Sequence, residues 1–464
     1  MTEVKLSKEE IKEAKHHTRR LSIKEGIFWS ARNSFGDQYV SPFAIAMGTS
    51  NSLVAILNSV LNIGPISQLI GSNLVGKHKR KSIFVKTLIA ESLGWFLMAA
   101  IGILYFKNMF TEFLPFLIIL DMGIIVFAGG LGHPAWFSWM GDVIDEKYRG
   151  RWWSKRSTII SFATIVLAIM SSAVLKYFKS TNYEIQGFIL FFMIAFIARA
   201  SCINIVKRQY EPKEKKKRKD EVKEYTLLNF VKEIKSSNFG KFVLFRGVFA
   251  IAIGLTSSLV SIYLLRTLGF DYLTYMVITM SGTLFSVLTL NLWGKIADKY
   301  GNYKVIALTT LIIPLTPLLW ILSSSKIYLF LVPAILGGTS WTAFSMASGN
   351  FIYDNVSKEK RSKAISYFNL FVGIGAVIGG LLASYLIEAI HTTRIKPIYL
   401  IFIIGTILRM LIISLFIPSL NEVKKRSKLK GFKELENILF KEAKPTILED
   451  LHEITSIKNY LKEK

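Results

Sequence analysis

The chain has 464 residues, of which 51% are hydrophobic and 19% are charged, and its mean hydropathy is +0.39. Soluble domains carry about 25% charged residues, so this composition argues against a soluble enzyme and against a disordered protein. The formal net charge is +26, which in a soluble protein would suggest nucleic-acid binding. Here the basic residues lie between long apolar runs, as cytoplasmic loops do, and no nucleic-acid partner is expected.

Twelve apolar runs follow one another along the chain, each close to the roughly 20 residues that one helical crossing of a bilayer needs. Strands of a membrane barrel would be about 10 residues long with alternating polarity, and these runs do not alternate. We therefore predict an all-α polytopic membrane protein with 12 transmembrane helices. The predicted spans are residues 26–48, 51–75, 83–106, 113–140, 155–177, 186–206, 241–265, 272–293, 303–323, 327–350, 363–388 and 396–417.

The distribution of Lys and Arg sets the predicted orientation. With the N-terminus inside and twelve crossings, the inner segments carry 47 of the 58 basic residues and the outer loops carry seven. An excess of basic residues marks the cytoplasmic side of membrane proteins. We predict a multi-pass protein of the plasma membrane with its N- and C-termini in the cytoplasm.

A charge-rich linker, residues 207–240, divides the chain into two sets of six spans. Its basic centre is typical of a solvated connector or of a segment that contacts anionic headgroups, so membrane lipid is an expected partner. The predicted domains are a cytoplasmic N-terminal tail, 1–25, an N-terminal six-helix bundle, 26–206, the linker, a C-terminal six-helix bundle, 241–417, and a cytoplasmic amphipathic tail, 418–464.

The two sets of spans share an internal repeat. Four landmarks recur in the same order in both halves, between 212 and 223 residues apart. They are Phe28–Arg32 with Phe242–Arg246, Gly48 with Gly269, Gly71 with Gly294, and Asp142–Arg149 with Asp354–Arg361. Two pseudo-symmetric six-helix halves joined by one inner linker are an architecture of secondary transporters, in which the substrate site lies where the halves meet.

Two inner loops at equivalent places in the repeat carry related motifs. The loop after the eighth span, GKIADKYGNYK, contains Gly294, Asp298, Lys299, Gly301 and Lys304. The matching loop of the first half, GSNLVGKHKRK, contains Gly71, Lys79, Arg80 and Lys81. A second pattern joins the fourth and fifth spans and consists of Pro134, Ala135, Asp142, Arg149 and Gly150.

With these motifs the sequence resembles the major facilitator superfamily (MFS) over roughly residues 25–417. The first-half loop departs from the family pattern, because Val75 stands where the family has an acid. The resemblance implies the MFS fold, transport by alternating access, and a central cavity lined by spans 1, 4, 7 and 10. It also implies that the protein is a monomer that binds a small-molecule substrate.

The resemblance also implies that the inner loops form a gate. Asp298 is expected to pair with basic side chains there, although it could equally serve only to fix a tight turn. Glycines in these loops permit close packing of helices or a positive φ. The expected gate residues are Gly71, Arg80, Asp142, Arg149, Gly294, Asp298, Lys299, Gly301, Asp354 and Arg361.

Span 1 carries the first candidate site. Asn33 and Asp37 are four residues apart and share one face of a helix. Asp37 is near the membrane midplane, where ionisable groups are expensive and usually functional. We expect it either to couple transport to protons or another cation, or to form a structural salt bridge with Arg32 or Arg246.

Other charged and aromatic residues inside the spans give further candidates. Asp121 in span 4 either binds a cationic substrate or is hydrated near the outer mouth, and Glu91 in span 3 is a weaker coupling candidate. Arg32 and Arg246 occupy equivalent places in the repeat and are expected to make structural contacts, for example with Asp142 and Asp354. Alternatively, these two arginines bind an anionic substrate.

Aromatic side chains complete the set of substrate candidates. Trp136 and Trp341 could pack against an amphipathic substrate, but aromatic residues are also ordinary components of membrane spans. No phosphate-binding loop, no metal-ligand cluster and no nucleophile motif stands out in the sequence. We therefore predict no catalytic residue, no metal and no cofactor.

These observations predict a secondary active transporter, coupled to protons or another ion, that moves a small molecule across the plasma membrane by alternating access. Acidic Asp37 and Asp121 favour efflux of amphipathic or cationic compounds. Arg32 and Arg246 favour uptake or exchange of a small polar metabolite, such as a sugar or organic acid. More distant alternatives are a polytopic membrane enzyme and a sensor that has lost transport.

Overall fold

The structure, a computed structural model, describes residues 7–145, 149–212, 226–357, 360–392 and 394–423. Within these ranges the chain is helical and forms no β-strand. Eleven helices are long and apolar enough to cross a membrane. They are Asn51–Leu74, Arg80–Phe106, Leu114–Val143, Trp152–Ser180, Glu184–Lys207, Asn238–Thr267, Tyr272–Tyr300, Asn302–Ile321, Lys326–Asn355, Lys363–Ala389 and Pro397–Ser419, and are numbered here as spans 2 to 12.

Span 1 is helical as predicted, but it is more polar than the others. It consists of an α-helix, Lys8–Arg32, a π-helical turn, Asn33–Asp37, and a second α-helix, Gln38–Ala46. Arg32 and Asp37, together with the serine, asparagine and glutamine side chains, lower its hydropathy, and it is not among the eleven strongly apolar helices. The helix begins at Lys8, so much of the predicted tail 1–25 is continuous with span 1.

The chain divides into two compact units. Unit 1 comprises Met1–Thr49 and Val60–Lys219, and unit 2 comprises Ser50–Ser59 and Asp220–Lys464. In this division the start of span 2, Ser50–Ser59, belongs to unit 2. There Asn58 Nδ2 donates a hydrogen bond of 2.7 Å to the carbonyl oxygen of Ser258.

Glycines allow the helices of unit 1 to approach closely. A Cβ atom on Gly71 would lie 2.3 Å from the carbonyl oxygen of Leu131, and one on Gly130 would lie 2.3 Å from that of Gly64. Both distances are far below van der Waals contact, so spans 2 and 4 can pack in this way only because these positions lack a side chain.

Spans 7 and 11 of unit 2 pack in the same manner. A Cβ atom on Gly375 would lie 2.1 Å from the carbonyl oxygen of Gly247, and one on Gly379 would lie 2.0 Å from that of Ile251. Small residues at such crossings are typical of membrane helices, whose association depends on close packing rather than on exclusion of water.

The internal repeat is visible in the backbone. Gly48 and Gly269 both have a positive φ, 80° and 67°. Arg149 Nη2 donates to the carbonyl oxygen of Gly141 at 2.9 Å, and Arg361 Nη2 donates to that of Tyr353 at 3.2 Å. In each half the arginine therefore donates a hydrogen bond to the carbonyl oxygen of the residue eight positions earlier, near the end of the preceding span. This shared contact confirms the predicted repeat.

In the part of the chain that the structure describes, three spans contain a π-helical turn. The turns are Asn33–Asp37 in span 1, Tyr263–Thr267 in span 7 and Ala334–Gly338 in span 10. Such turns are rare and occur often at functional sites. All three lie in spans that the family resemblance assigns to the central cavity.

The predicted linker, 207–240, is partly structured at both ends. A short helix, Leu227–Glu233, is capped by the Thr226 side chain, and its Phe230 stacks on Tyr367 with ring centroids 5.4 Å apart. The basic centre of the linker lies outside the described residues. So does the predicted amphipathic tail from residue 424 onward.

A candidate substrate cavity and the buried charges

Unit 2 contains a cavity of about 840 Å³ between spans 7, 8, 9, 10 and 12. Its wall is rich in hydroxyl groups and includes two indole rings, those of Trp320 and Trp341. Arg409 is the only charged residue among the described residues that line it. The lining hydroxyl side chains are Thr256, Ser257, Thr279, Thr283, Ser286, Thr316, Thr342 and Ser345.

Local helix chemistry holds several of these hydroxyl groups in place. Thr316 donates to the carbonyl oxygen of Ile313 at 2.8 Å, and Thr342 donates to that of Gly338 at 2.7 Å. Ser and Thr commonly bond to the preceding helical turn in this way inside membranes. Since the proton is used within the helix, the hydroxyl oxygen can still accept a hydrogen bond.

The π-helical turn of span 10 contributes to the same wall. Gly337 and Gly338 belong to this turn and line the cavity. A Cβ atom on Gly338 would lie 2.5 Å from the carbonyl oxygen of Gly282 in span 8. The turn therefore lets two spans approach closely beside the cavity.

Arg409 is a buried cation whose partners are all neutral. Its Nε donates to the carbonyl oxygen of Ala252 at 3.4 Å, and its Nη1 donates to Ile313 at 3.2 Å and to Thr316 Oγ1 at 2.8 Å. Its Nη2 donates to Thr256 Oγ1 at 2.5 Å. Among the described residues no carboxylate forms an ion pair with Arg409, although the side chain is almost inaccessible to solvent.

Arg199 in span 6, located 210 residues earlier, is the counterpart of Arg409 in unit 1. Its Nε and Nη2 donate to the two carboxylate oxygens of Glu91 at 2.9 and 2.7 Å. Its Nη1 lies 3.5 Å from Glu25, and Glu25 in turn pairs with Arg156 at 3.0 Å. Two acids and two bases thus compensate one another inside unit 1. The sequence-predicted Glu91 is held in this cluster.

The π-helical turn of span 1 forms a second compensated pair. Arg32 Nη1 lies 2.7 Å from both carboxylate oxygens of Asp37, and Asn33 Nδ2 donates to the same carboxylate at 3.0 Å. The wider turn brings residues five apart onto one face, which an α-helix does not. The structure thus places Asp37 in the salt bridge with Arg32 that the sequence offered as the alternative to coupling.

Arg246, the repeat counterpart of Arg32, has no ion pair with any described residue. Its guanidinium carbon lies 4.5 Å from the ring centroid of Phe344 and 5.7 Å from that of Phe368. The Nε and Nη1 atoms are buried without a hydrogen-bond partner in the described chain. A cation–π contact stabilises the charge only in part.

The expected contacts of Arg32 and Arg246 with Asp142 and Asp354 are wrong. Asp142 pairs instead with Arg80 at 2.6 Å, and Asp354 accepts a hydrogen bond of 2.7 Å from Asn302. The two arginines lie within the spans, whereas the two acids end spans 4 and 10. The acids therefore find their partners at the beginning of spans 3 and 9.

Asp121 is buried against span 3. Both of its carboxylate oxygens are inaccessible and have no hydrogen-bond partner among the described residues. Gly94 leaves the space for this carboxyl group, because a Cβ atom there would lie 3.3 Å from Asp121 Oδ1. An unpaired carboxylate inside a membrane protein is costly, so this position favours a neutral acid or a carboxylate with a bound cation.

The two tryptophan candidates differ in environment. Trp341 lines the cavity of unit 2. Trp136 packs in an apolar cluster with Trp139 and Phe84 in unit 1, and the guanidinium carbon of Arg156 lies 4.6 Å from its ring centroid. Trp341 is thus placed to contact a ligand, whereas Trp136 is occupied by packing.

The inner-loop residues of the two halves also differ. Arg80 bonds to Asp142 and donates to the carbonyl oxygen of Pro212 at 2.9 Å. In unit 2, Asp298 and Lys299 lie in the last turn of span 8, and Gly301 ends that span with a φ of 101°. Gly294 would meet no atom within 4 Å if it carried a Cβ, in contrast to its counterpart Gly71.

The sequence analysis did not select several residues that the structure places in the charge cluster of unit 1 or in the cavity wall of unit 2. Glu25, Arg156 and Arg409 were not selected, nor were the cavity hydroxyls. Arg199 and Arg409 lie 210 residues apart, close to the spacing of the other repeat landmarks. That spacing was a signal from which the second pair of arginines could have been found.

The fold and the cavity together define a polytopic membrane carrier built from two repeats. The family model of the major facilitator superfamily matches residues 33–291 and, in a second match, 242–451. The chain therefore belongs to the major facilitator superfamily, and it is a transporter.

Solved structures share this fold at low sequence identity. A mutant of the nucleoside transporter NupG matches 88% of this chain and 100% of its own at 14% identity, with a TM-score of 0.66. An auto-inhibited peptide transporter of the POT family matches 89% of this chain and 99% of its own at 12% identity, also with a TM-score of 0.66. A mutant of the E. coli fucose:proton symporter FucP matches 86% of this chain and 98% of its own at 14% identity, with a TM-score of 0.55. No curated protein matches the sequence.

Proposed function

We propose that this secondary transporter moves a small polar metabolite, such as a sugar or an organic acid, and that the cavity of unit 2 binds it. The observation that carries the proposal is the cavity wall, with its many hydroxyl groups, one guanidinium and two indoles. Convergent polar groups on an otherwise apolar wall are typical of small-molecule sites. The neighbours named as nucleoside and fucose transporters are compatible with such a substrate.

The same wall argues against efflux of cationic compounds. A buried cation needs a carboxylate or several oriented carbonyl groups to replace its hydration. The described lining residues include no carboxylate, and Arg409 would repel a cation. Of the two substrate classes that the sequence left open, the polar metabolite is therefore favoured.

Asp121 is the candidate for ion coupling. Asp37 is already neutralised by Arg32, whereas both carboxylate oxygens of Asp121 lack a partner among the described residues. A carboxyl group that exchanges a proton or cation during a transport cycle needs such an uncommitted state. We assign the coupling to Asp121, and the plasma membrane with cytoplasmic termini remains the location that the basic residues predict.

Transport by the reconstituted protein tests the substrate class. Proteoliposomes would receive radiolabelled glucose, uridine or lactate, and in parallel a lipophilic cationic dye, with and without an imposed pH gradient. We expect uptake of at least one polar solute and none of the dye. Dye transport without uptake of any polar solute would refute the proposal.

A pair of threonine variants ties that uptake to the cavity. Thr342→Val removes a lining hydroxyl, and Thr310→Val removes a buried hydroxyl outside the cavity that bonds to the carbonyl oxygen of Ala307. One hydrogen bond to a ligand contributes about 1 kcal/mol, so we expect roughly fivefold weaker transport for Thr342→Val and no change for Thr310→Val. Equal effects of the two variants would exclude the cavity as the site.

A separate variant tests the coupling residue. Asp121→Asn keeps the shape of the side chain and removes its acid function. We expect it to abolish stimulation of uptake by the pH gradient while solute exchange across the membrane continues. If gradient-driven uptake survives in Asp121→Asn and is lost in Asp37→Asn, the coupling residue is Asp37.

A further inference from the structure

Two pairs of buried arginines are related by the internal repeat. Arg199 corresponds to Arg409, and Arg32 corresponds to Arg246. All four guanidinium groups lie within the spans, where an isolated charge is costly. Because the scaffold repeats, a difference between the members of each pair reflects a difference in what the two units do.

In unit 1 both arginines have a carboxylate partner. Arg199 forms two hydrogen bonds with Glu91 and lies near Glu25, and Arg32 pairs with Asp37 across the π-helical turn. These charges are therefore compensated by the protein itself, and no ligand is needed to neutralise them.

In unit 2 neither arginine has a carboxylate partner among the described residues. Arg409 bonds to two backbone carbonyls and two threonine hydroxyls. Arg246 lies over the rings of Phe344 and Phe368, and its Nε and Nη1 are buried without a hydrogen-bond partner in the described chain. The position five residues after Arg246, which corresponds to Asp37, is Ile251. The compensating acid that the repeat would place there is thus missing from the sequence.

The subsite around Arg409 is built as part of the cavity wall. Arg409, Thr256 and Thr316 all line the cavity. Four of the five N–H groups of the guanidinium are used by neutral acceptors, and one N–H of Nη2 remains. The guanidinium is therefore held in the cavity wall with a fixed orientation and one uncommitted N–H, and charge-assisted recognition of an oxyanion uses such a group.

We infer that the substrate is an anion and that Arg409 binds its carboxylate or phosphate group. Arg246 adds a second positive charge to the same unit. The hydroxyl groups of the cavity then bind the uncharged remainder of the substrate. This inference rests on the proposed function, since it specifies the charge of the metabolite that the cavity accepts.

Binding by the purified wild-type protein tests the inference with two sets of related solutes, each containing a neutral, an anionic and a cationic member. One set is glucose, glucuronate and glucosamine, and the other is glycerol, glycerol 3-phosphate and 2-amino-1,3-propanediol. Ligand-induced stabilisation against heat measures binding, and uptake into proteoliposomes measures transport. We expect the anionic member of at least one set to bind at least about tenfold more tightly than its neutral and cationic analogues.

Three outcomes distinguish the inference from the proposed function. Preference for an anion supports both the anionic substrate and the proposed function. Preference for glucuronate indicates a carboxylate site, and preference for glycerol 3-phosphate indicates a phosphate site. Equal or better binding of a neutral member overturns the anionic substrate but leaves a polar metabolite transporter. If none of the six solutes binds or is transported, both ideas fail.

Variants of Arg409 connect the charge preference to this residue. Arg409→Gln removes the charge, and Arg409→Lys keeps it but loses the planar array of N–H groups. We expect binding of the preferred anion to fall about tenfold or more in Arg409→Gln and less in Arg409→Lys, with binding of its neutral analogue unchanged. An equal loss for the anion and its neutral analogue would show that Arg409 only shapes the cavity, which overturns its assigned role.

Discussion

The two units of the protein share one scaffold but compensate their buried charges differently. In unit 1 the arginines of spans 1 and 6 pair with Asp37 and Glu91. In unit 2 their counterparts, Arg246 and Arg409, have only neutral neighbours among the described residues. Among the described residues of unit 1, Asp121 is the buried acid whose carboxylate oxygens have no hydrogen-bond partner.

This difference separates two uses of charge inside a membrane. A compensated cluster holds helices together, because removing one partner leaves the other buried and unpaired. An uncompensated charge contributes little to holding the helices and is available for an ion or a ligand. Among the described residues, unit 1 thus contains a compensated charged cluster and the unpaired Asp121, whereas unit 2 contains the cavity, which Arg409 lines.

The largest expected effect is the loss of folding stability when the arginine of span 6 is removed. Removal of the corresponding arginine of span 12 provides the comparison. Arg199→Met leaves Glu91 buried without its partner, which typically costs about 3–5 kcal/mol. Arg409→Met leaves only neutral groups without the guanidinium, namely the carbonyl oxygens of Ala252 and Ile313 and the hydroxyls of Thr256 and Thr316. Both threonines keep a bond to the preceding turn, so we expect a clearly smaller loss, about 1 kcal/mol. Unfolding of the two purified variants in detergent measures the difference.

A double variant provides the control for this comparison. Arg199→Met combined with Glu91→Leu removes the pair as a whole, and we expect it to recover most of the lost stability, since a buried ion pair adds little over packed apolar side chains. If the single variants of Arg199 and Arg409 lose the same stability, the proposed division between structural and ligand-binding charges is incorrect.

The fold could be predicted from the sequence largely because helix length and composition are local properties. The predicted runs 83–106 and 186–206 correspond to the helices Arg80–Phe106 and Glu184–Lys207 of the structure, so the bounds differ by at most three residues. Gly48 and Gly269 were recognised as repeat landmarks and indeed share a positive φ. Each of these signals is contained in a short stretch of chain.

The charge clusters could not be predicted, because their members are distant in sequence. Glu25, Glu91 and Arg199 meet only after three spans have packed together. The π-helical turn that brings Arg32 to Asp37 also has no simple sequence signature. The cavity hydroxyls were missed because threonines such as Thr342 satisfy their own helix and are common in membrane spans.

An intermediate effect is expected at the paired glycines of spans 2 and 8. Gly71→Ala places a methyl group against the backbone of Leu131 and should cost about 1–3 kcal/mol, as overpacking does. Gly294→Ala meets no atom within 4 Å and replaces a helical glycine, so stability should rise by about 0.5–1 kcal/mol. Thermal unfolding of both variants measures this contrast.

Transport by Gly294→Ala sharpens the comparison further. Nothing in the described structure opposes a methyl group at this position. The expected gain in stability together with lost transport would therefore reveal a second conformation in which Gly294 is tightly packed, as Gly71 is here. Unchanged transport would show that the position of Gly294 has room for a methyl group in every state of the transport cycle, unlike that of Gly71.

The smallest effect concerns the first turns of two helices outside the membrane, one in each unit. In unit 1 the Ser7 side chain accepts from the backbone N–H of Glu10, and the Glu10 carboxylate accepts from that of Ser7. The hydrogen bonds from Ser7 lower the pKa of Glu10 from its usual value. In unit 2 the Thr226 hydroxyl caps its helix by accepting a hydrogen bond from the backbone N–H of Asn229. This cap contains no titratable group.

These two helix starts should respond differently to acid. A lowered pKa means that the contribution of Glu10 is present above its usual pKa of 4.5 and is lost as the pH falls through its value in the folded protein. Amide exchange in the turn after Ser7, corrected for its intrinsic rate, should therefore become faster relative to that after Thr226 between pH 7 and pH 3. Ser7→Ala should show the faster exchange already at pH 7. The same pH response at both turns would mean that a process other than protonation of Glu10 opens them.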